Sequence, residues 1–329
     1  MTSGGHGHPI VSNADAAPGA QLAADRVGEP RHRRVKRRIK PLGSARSAGV
    51  VVPPLPELRP VEVPGRGTTE VRLAAGPTPV LLLHGWAVTA DFNFCHLMTP
   101  LAQRFGVVAV DLCGHGRGLP VPDTERFSIT RCADDAAAVL DVLGIDRVVV
   151  CGYSLGGPVA MEFVRRHKDR VAGLVLESTT LAFPNRRDKI AGLMFRALRP
   201  LADRSRGVGR SLPLRYYNRI RAGDRQTVAW WPWLCGELVR CHPRVLVDVI
   251  LAEYAFDFRP WVGSLAGLPA TVVVTTRDRA VPPRDQRGMA RLLDAPMIEL
   301  NADHDVFLTQ PASYVQATLA AVESVGAQS

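Results

Sequence analysis

The chain has 329 residues, 46% of them hydrophobic and 22% charged, enough to bury a full core and ordinary for a globular protein. Its 41 Lys/Arg against 31 Asp/Glu give a net charge of +10, and no apolar run approaches the ~20 residues that cross a bilayer. The excess is local: residues 1–60 carry +6 and residues 184–225 carry +9, which leaves −5 for everything else.

Residues 1–28 are small, polar and aperiodic, which predicts disorder. Arg31 to Lys40 form a dense basic run that reads as a solvated tail, or as a patch for an anionic membrane surface or an acyl carrier. Nucleic-acid binding is not expected, because no recognisable module accompanies the run. Arg33-Arg34 and Arg37-Arg38 are followed by Lys40-Pro41-Leu42-Gly43-Ser44 and not by an apolar leader. A cytoplasmic location is therefore expected, with peripheral docking at a membrane the reading that the tail's charge would allow. Prolines at 53, 54, 56, 60 and 64 predict an extended linker, so that residues 1–67 form a basic tail and Pro-rich linker.

From residue 68 short β-branched runs alternate with amphipathic segments, the pattern of a mostly parallel sheet covered by helices. Strands are predicted at Val71–Ala75, Val80–Leu83, Val107–Val110, Val148–Cys151, Leu174–Leu176, Thr271–Thr275 and Met297–Leu300. Helices are predicted at Ile129–Leu143, Leu155–His167, Asp285–Leu293 and Pro311–Ala321. Residues 183–262 break the alternation and read as a helical cap, with the core split into 68–182 and 263–329. The cap gathers Phe183, Phe195, Trp230, Trp231 and Trp233 beside its arginines. The six cysteines show no paired or zinc-type spacing and read as free core thiols; no metal or cofactor motif appears.

Gly152-Tyr153-Ser154-Leu155-Gly156 lies directly after a predicted strand and before a predicted helix. A G-x-S-x-G in that setting makes a sharp turn that lifts the serine hydroxyl from the sheet toward a helix N-terminus. Serine needs a base, and the base needs orienting. Two later strands run into Asp278 and His304, which predicts Ser154 as nucleophile, His304 as base and Asp278 as its orienting acid. Glu177, after another strand, is a rival acid; Asp305 is too near His304 in sequence to reach the far ring nitrogen. The strand before His84-Gly85-Trp86 ends in a glycine turn, so the backbone N–H groups of Trp86 and Leu155 are the expected oxyanion donors. His84 and His115 read as structural.

These pieces, with Asp111-Leu112-Cys113-Gly114-His115-Gly116-Arg117-Gly118 and Asp278-Arg279-Ala280-Val281-Pro282, resemble the α/β-hydrolase superfamily over residues 78–325. The resemblance is to its esterases, thioesterases, carbon–carbon hydrolases and cofactor-free haloperoxidases. Cys113 stands where that family more often has arginine, and Asp303 where it usually has glycine. The resemblance implies hydrolysis of a carboxylic ester or thioester through an acyl-enzyme, without a cofactor. A serine at 154 argues against epoxide-hydrolase or dehalogenase chemistry. The cationic, aromatic cap suggests a small-molecule acyl substrate with an anionic head or carrier. The alternative is a non-catalytic ligand- or partner-binding protein on the same scaffold.

Overall fold

The computed structural model describes residues 50–122, 124–183, 214–220 and 222–326. The expectations placed on residues 1–49, and on residues 184–213 of the arginine-rich stretch, lie outside these residues.

Eight strands form one sheet: β1 (Glu57–Val63), β2 (Gly67–Ala74), β3 (Pro79–Leu83), β4 (Gly106–Val110), β5 (Val148–Tyr153), β6 (Val171–Glu177), β7 (Ala270–Thr275) and β8 (Met297–Leu300). Their order across the sheet is β1-β2-β4-β3-β5-β6-β7-β8. β3 to β8 run parallel, whereas β2 is antiparallel both to β4 and to β1. The seven predicted strands are all present. The extended linker expected through Pro64 is instead partly β1, a strand paired along its whole length with β2. Pro60 hid it, yet β1 is the sheet's outer edge, where a residue without an N–H is tolerated.

The parallel strands β3 to β7 are apolar on both faces, and their alternate residues feed two separate cores. Leu81, Leu83, Val148, Val150, Val272 and Val274 join one apolar cluster. Val80, Leu82, Val149, Cys151 and Val273 join the other. Continuous Val/Leu runs are what burial on both faces requires.

The described helices are α1 (Ala90–Phe94), α2 (Met98–Ala102), α3 (Ile129–Leu143), α4 (Gly156–Arg166), α5 (Arg225–Leu238), α6 (Pro243–Ala255), α7 (Pro283–Leu292), α8 (Val306–Thr309) and α9 (Pro311–Gly326). α3 begins where the Ser128 hydroxyl accepts from the Arg131 N–H and stops at Gly144 in the left-handed conformation. Among the described residues no helix is long and apolar enough to cross a membrane.

Within the predicted cap, α5 and α6 are held to the sheet's loops at several points. Arg117 donates to both carboxylate oxygens of Glu237 on α5, each at 2.8 Å. The Trp86 indole N–H donates to the Leu246 carbonyl on α6 at 2.8 Å. Beyond α6, the Phe258 N–H donates to the Leu181 carbonyl, in the loop after β6. α6 thus reaches from the loop after β3 to the loop after β6, across the carboxyl ends of the strands between them. Trp230 and Trp231 differ from the sequence expectation of a cap surface: both are buried in the second apolar cluster, with Trp230 against the His96 ring. Of the aromatics assigned to that surface, Phe195 lies outside the described residues.

Candidate active site

The carboxyl ends of β3 and β5 are adjacent, and the chain leaves β3 toward β4 on one side and later returns to β5 on the other. Such a reversal opens a crevice where parallel sheets bind ligands. Ser154 follows β5 in that crevice, with φ of +51°, a left-handed conformation that costs about 1–2 kcal/mol for a residue with a Cβ. The turn survives because its glycines admit very close backbone: a Cβ on Gly156 would stand 1.9 Å from the Leu83 carbonyl oxygen, and one on Gly152 would stand 2.3 Å from that of Gly156. The Ser154 N–H is anchored to the Glu177 carbonyl at 2.9 Å.

The loops after β7 and β8 bring Asp278 and His304 to the same place. His304 Nε2 lies 3.0 Å from Ser154 Oγ, and its Nδ1 lies 2.8 Å from Asp278 Oδ2. Asp278 is fully enclosed but well supplied with donors. The Ala280 and Val281 N–H groups donate to Oδ1 at 2.8 and 2.7 Å, and the Gln286 amide donates to Oδ2 at 3.1 Å. A buried carboxylate is stable only with such company. Gln286 and Thr275, whose hydroxyl is 2.7 Å from Asp278 Oδ2, were not singled out from the sequence. Neither belongs to a motif, and only the packing of α7 on β7 brings them together.

Burial pulls the His304 imidazole down, but the hydrogen-bonded Asp278 carboxylate more than offsets this, with Asp305 and Glu253 adding to it. Its pKa therefore lies above the ordinary histidine value. The His304 backbone is also held, since the Tyr153 hydroxyl donates to its carbonyl. Asp303, which stands where the resembling family usually has glycine, holds this loop: Oδ1 accepts from the His304 and Arg279 N–H groups at 2.8 and 3.0 Å.

Glu177 does not reach His304. It is enclosed under α9, where Tyr314 and Thr318 hydroxyls donate to it at 2.9 and 2.6 Å. Burial raises its pKa to about 7 despite these bonds. Asp305 instead accepts from the Tyr216 hydroxyl at 2.8 Å, a link to the helical turn at 214–217.

On the other wall, a Cβ placed on Gly85 would be 3.5 Å from the Ser154 Cβ, so the turn after β3 lies against the serine. Asn93 on α1 holds that turn, its Oδ1 accepting from the Gly85 N–H at 2.8 Å. His84 accepts from the Leu112 N–H through Nε2 at 2.9 Å, which leaves Nδ1 as the donor to the Gly85 carbonyl at 2.7 Å. Burial and the adjacent His115 keep His84 neutral. Both contacts fit the structural role expected for it. Asp111 and Arg117 of the second motif also brace this wall, Asp111 accepting from the Ala90 and Arg117 N–H groups.

A hydroxyl, an imidazole and a carboxylate linked in this order on the ends of parallel strands are the equipment of an α/β hydrolase. The model of the Alpha/beta hydrolase family matches residues 80–317, and the chain belongs to that family. A pimeloyl-[acyl-carrier protein] methyl ester esterase of Chromobacterium violaceum is 30% identical over 251 residues, covering 74% of this chain and 94% of that protein. A protein of the same name from Nitrosospira multiformis is 38% identical over 137 residues, 41% of this chain; the match spans only 50% of the relative's length. Among solved structures, a thermophilic esterase from Thermogutta terrifontis superposes with a TM-score of 0.65 at 23% identity, covering 82% of this chain and 99% of that one. An enol-lactonase from Burkholderia xenovorans gives 0.63 at 21%, covering 80% and 98%. At these identities the structural likeness speaks for the fold alone.

Proposed function

We propose that the protein is a serine hydrolase of carboxylic esters or thioesters that works through an acyl-enzyme. One observation carries the reading: the His304 ring bridges Ser154 Oγ at 3.0 Å and Asp278 Oδ2 at 2.8 Å. Nε2 takes the Ser154 proton as Oγ attacks the carbonyl carbon, while Asp278 holds the ring in the Nδ1–H tautomer and stabilises the imidazolium. The oxyanion rests on the N–H groups of Trp86 and Leu155. Collapse of the tetrahedral intermediate expels the alcohol or thiol, which takes the proton from His304. Water, deprotonated by the same imidazole, then releases the acid.

The relatives named as esters' hydrolases favour an ester over an amide, and those named for a carrier-protein substrate favour an acyl chain carried on an anionic head. The exposed Arg215 and Arg219 suit such a head, since Tyr216 of the same turn reaches the residue next to His304. The test is labelling by a fluorophosphonate, with p-nitrophenyl acyl esters assayed in parallel on wild type and Ser154→Ala. Labelling should vanish in the variant, and turnover should fall by about 10⁶-fold. A well-folded wild type that neither labels nor turns over any ester would overturn the reading in favour of a binding protein.

A further inference from the structure

The loop after β4 meets the start of α6 at Gly114. A Cβ there would stand 2.6 Å from Val245 Cγ2, and the His242 N–H donates to the Gly114 carbonyl at 3.3 Å. Beside this contact lies a cavity of about 250 Å³, walled by His115 and Gly116 of the loop and by Arg240, Arg244, Val245 and Asp248. None of Ser154, Asp278 and His304 lines it. A water takes up roughly 30 Å³, so a small hydrated ion fits. The wall holds two guanidiniums against one carboxylate, and the N-terminal turn of α6 adds the positive end of its dipole. Arg240 gives one N–H to Glu237 at 3.0 Å and Arg244 gives one to the Glu125 carbonyl at 2.9 Å. His115, in the same wall, is 1% exposed. Its Nδ1 can only donate to the Cys113 carbonyl, at 3.3 Å, which leaves a lone pair on Nε2. That buried Nε2 has no hydrogen-bond partner among the described residues. The neighbouring His84 ring, 5.1 Å away, has both nitrogens engaged by Gly85 and Leu112. A buried acceptor left bare is costly to the fold.

We propose that this cavity binds a small oxyanion carrying a hydroxyl of its own, as hydrogen phosphate does, with the O–H donated to His115 Nε2 and the charge held by Arg240 and Arg244. The guanidiniums and the helix end call for the negative charge. The lone pair on Nε2 calls for the hydroxyl, because it repels an oxygen that brings no hydrogen. Asp248 in the same wall selects in the same direction, since carboxylate oxygens only accept. Sulfate at neutral pH has no proton to offer either group. Burial also draws the His115 imidazole down to about 4, so the ring stays neutral and its lone pair stays available. The bound ion would tie the loop after β4 to the start of α6, one residue before the Leu246 carbonyl that the Trp86 indole holds. The proposal does not depend on the hydrolase reading.

The experiment titrates inorganic phosphate and sulfate, at neutral pH and equal ionic strength, into wild type, His115→Gln, His115→Asn and Arg240→Gln, with binding read by calorimetry. Wild type should prefer phosphate over sulfate by about tenfold. H115Q can set its amide oxygen near the position of Nε2 and should keep the preference. H115N, one methylene shorter, retains only the donor to the Cys113 carbonyl and should lose it. R240Q should weaken both ions alike. Sulfate bound by wild type as tightly as phosphate overturns the proposal. So does the lack of any phosphate binding at millimolar concentration, which would leave water alone in the cavity. Phosphate affinity unchanged in both H115N and R240Q would place the ion elsewhere on a basic surface, and overturns it as well. One arm needs no variant. The nitrogen-15 resonance of the unprotonated His115 Nε2 should move when phosphate is added and stay when sulfate is added. No movement with phosphate overturns the proposal even if both His115 variants fail to fold. Ester turnover enters no arm, so failure here leaves the hydrolase reading standing.

Discussion

The two walls of the site are built differently. On one side Ser154, Asp278 and His304 sit on loops that leave three parallel strands, and backbone N–H groups from the same loops hold Asp278 Oδ1 and the His304 turn. On the other, α5, α6 and the turn at 214–217 are attached by side-chain bonds, chiefly Arg117 to Glu237, Trp86 to Leu246 and Tyr216 to Asp305. The first wall is fixed by the sheet, and the proposed chemistry is placed on it. The second can vary in sequence without disturbing the strands, and there the choice of substrate can be set. Substitutions on the two walls should accordingly fail in different ways.

Asp278→Asn makes the sharpest break on the first wall. The amide can present its N–H to Nδ1 and so favour the wrong tautomer, and kcat should fall about 10⁴-fold with KM little changed. In wild type the imidazole must be neutral to act as base, so kcat/KM should rise with pH through the His304 pKa and level off above it. Because that pKa is raised, the limb should lie above the ordinary histidine value, and the residual activity of D278N should show it at lower pH.

On the cap side, Glu237→Gln should leave the Arg117 guanidinium underpaired in a buried setting. A loss of about 3 kcal/mol in urea unfolding is expected, with a much smaller change in kcat. Arg117→Met combined with Glu237→Met should cost less than the two single losses added together. Additive losses would mean that Asp91 and Asp111, which also approach Arg117, already neutralise it.

The smallest effect distinguishes Glu177 from the acid beside His304. Its folded pKa, about 7, lies above that of an unfolded glutamate. The unfolded chain therefore gives up this proton first as pH rises. The stability tied to the bound proton is complete below the unfolded pKa and is lost as pH climbs toward and through 7. Glu177→Gln cannot lose that proton, so its Tm relative to wild type should climb over that range, with the pH–rate limb unmoved. A Tm difference flat with pH would show that Glu177 is not held protonated.

Much of the first wall was legible in the chain. Seven strands could be read because a sheet buried on both faces needs unbroken apolar runs, and the serine because its turn demands glycines on either side. The order of Ser154, Asp278 and His304 followed from their places after strands. β1 escaped notice because proline is read as a break, and only the strand's position at the sheet edge makes Pro60 acceptable. Trp230 and Trp231 were assigned to a surface because aromatic clustering does not tell which side of a helix packs inward.

By itself the sequence determined most of the sheet, the elbow and two of the three linked residues, Ser154 and His304, since each depends on local backbone geometry and on periodicity, and it left Asp278 with Glu177 as a rival. Tertiary structure alone decided that Asp278, not Glu177, meets His304, because both acids end strands and only the packing of α9 occupies one of them. It likewise decided what α6 lies against, with the Trp86 indole reaching the Leu246 carbonyl. The helical stripe fixes which side of α6 is buried, but contacts more than a hundred residues apart in sequence determine what that side lies against.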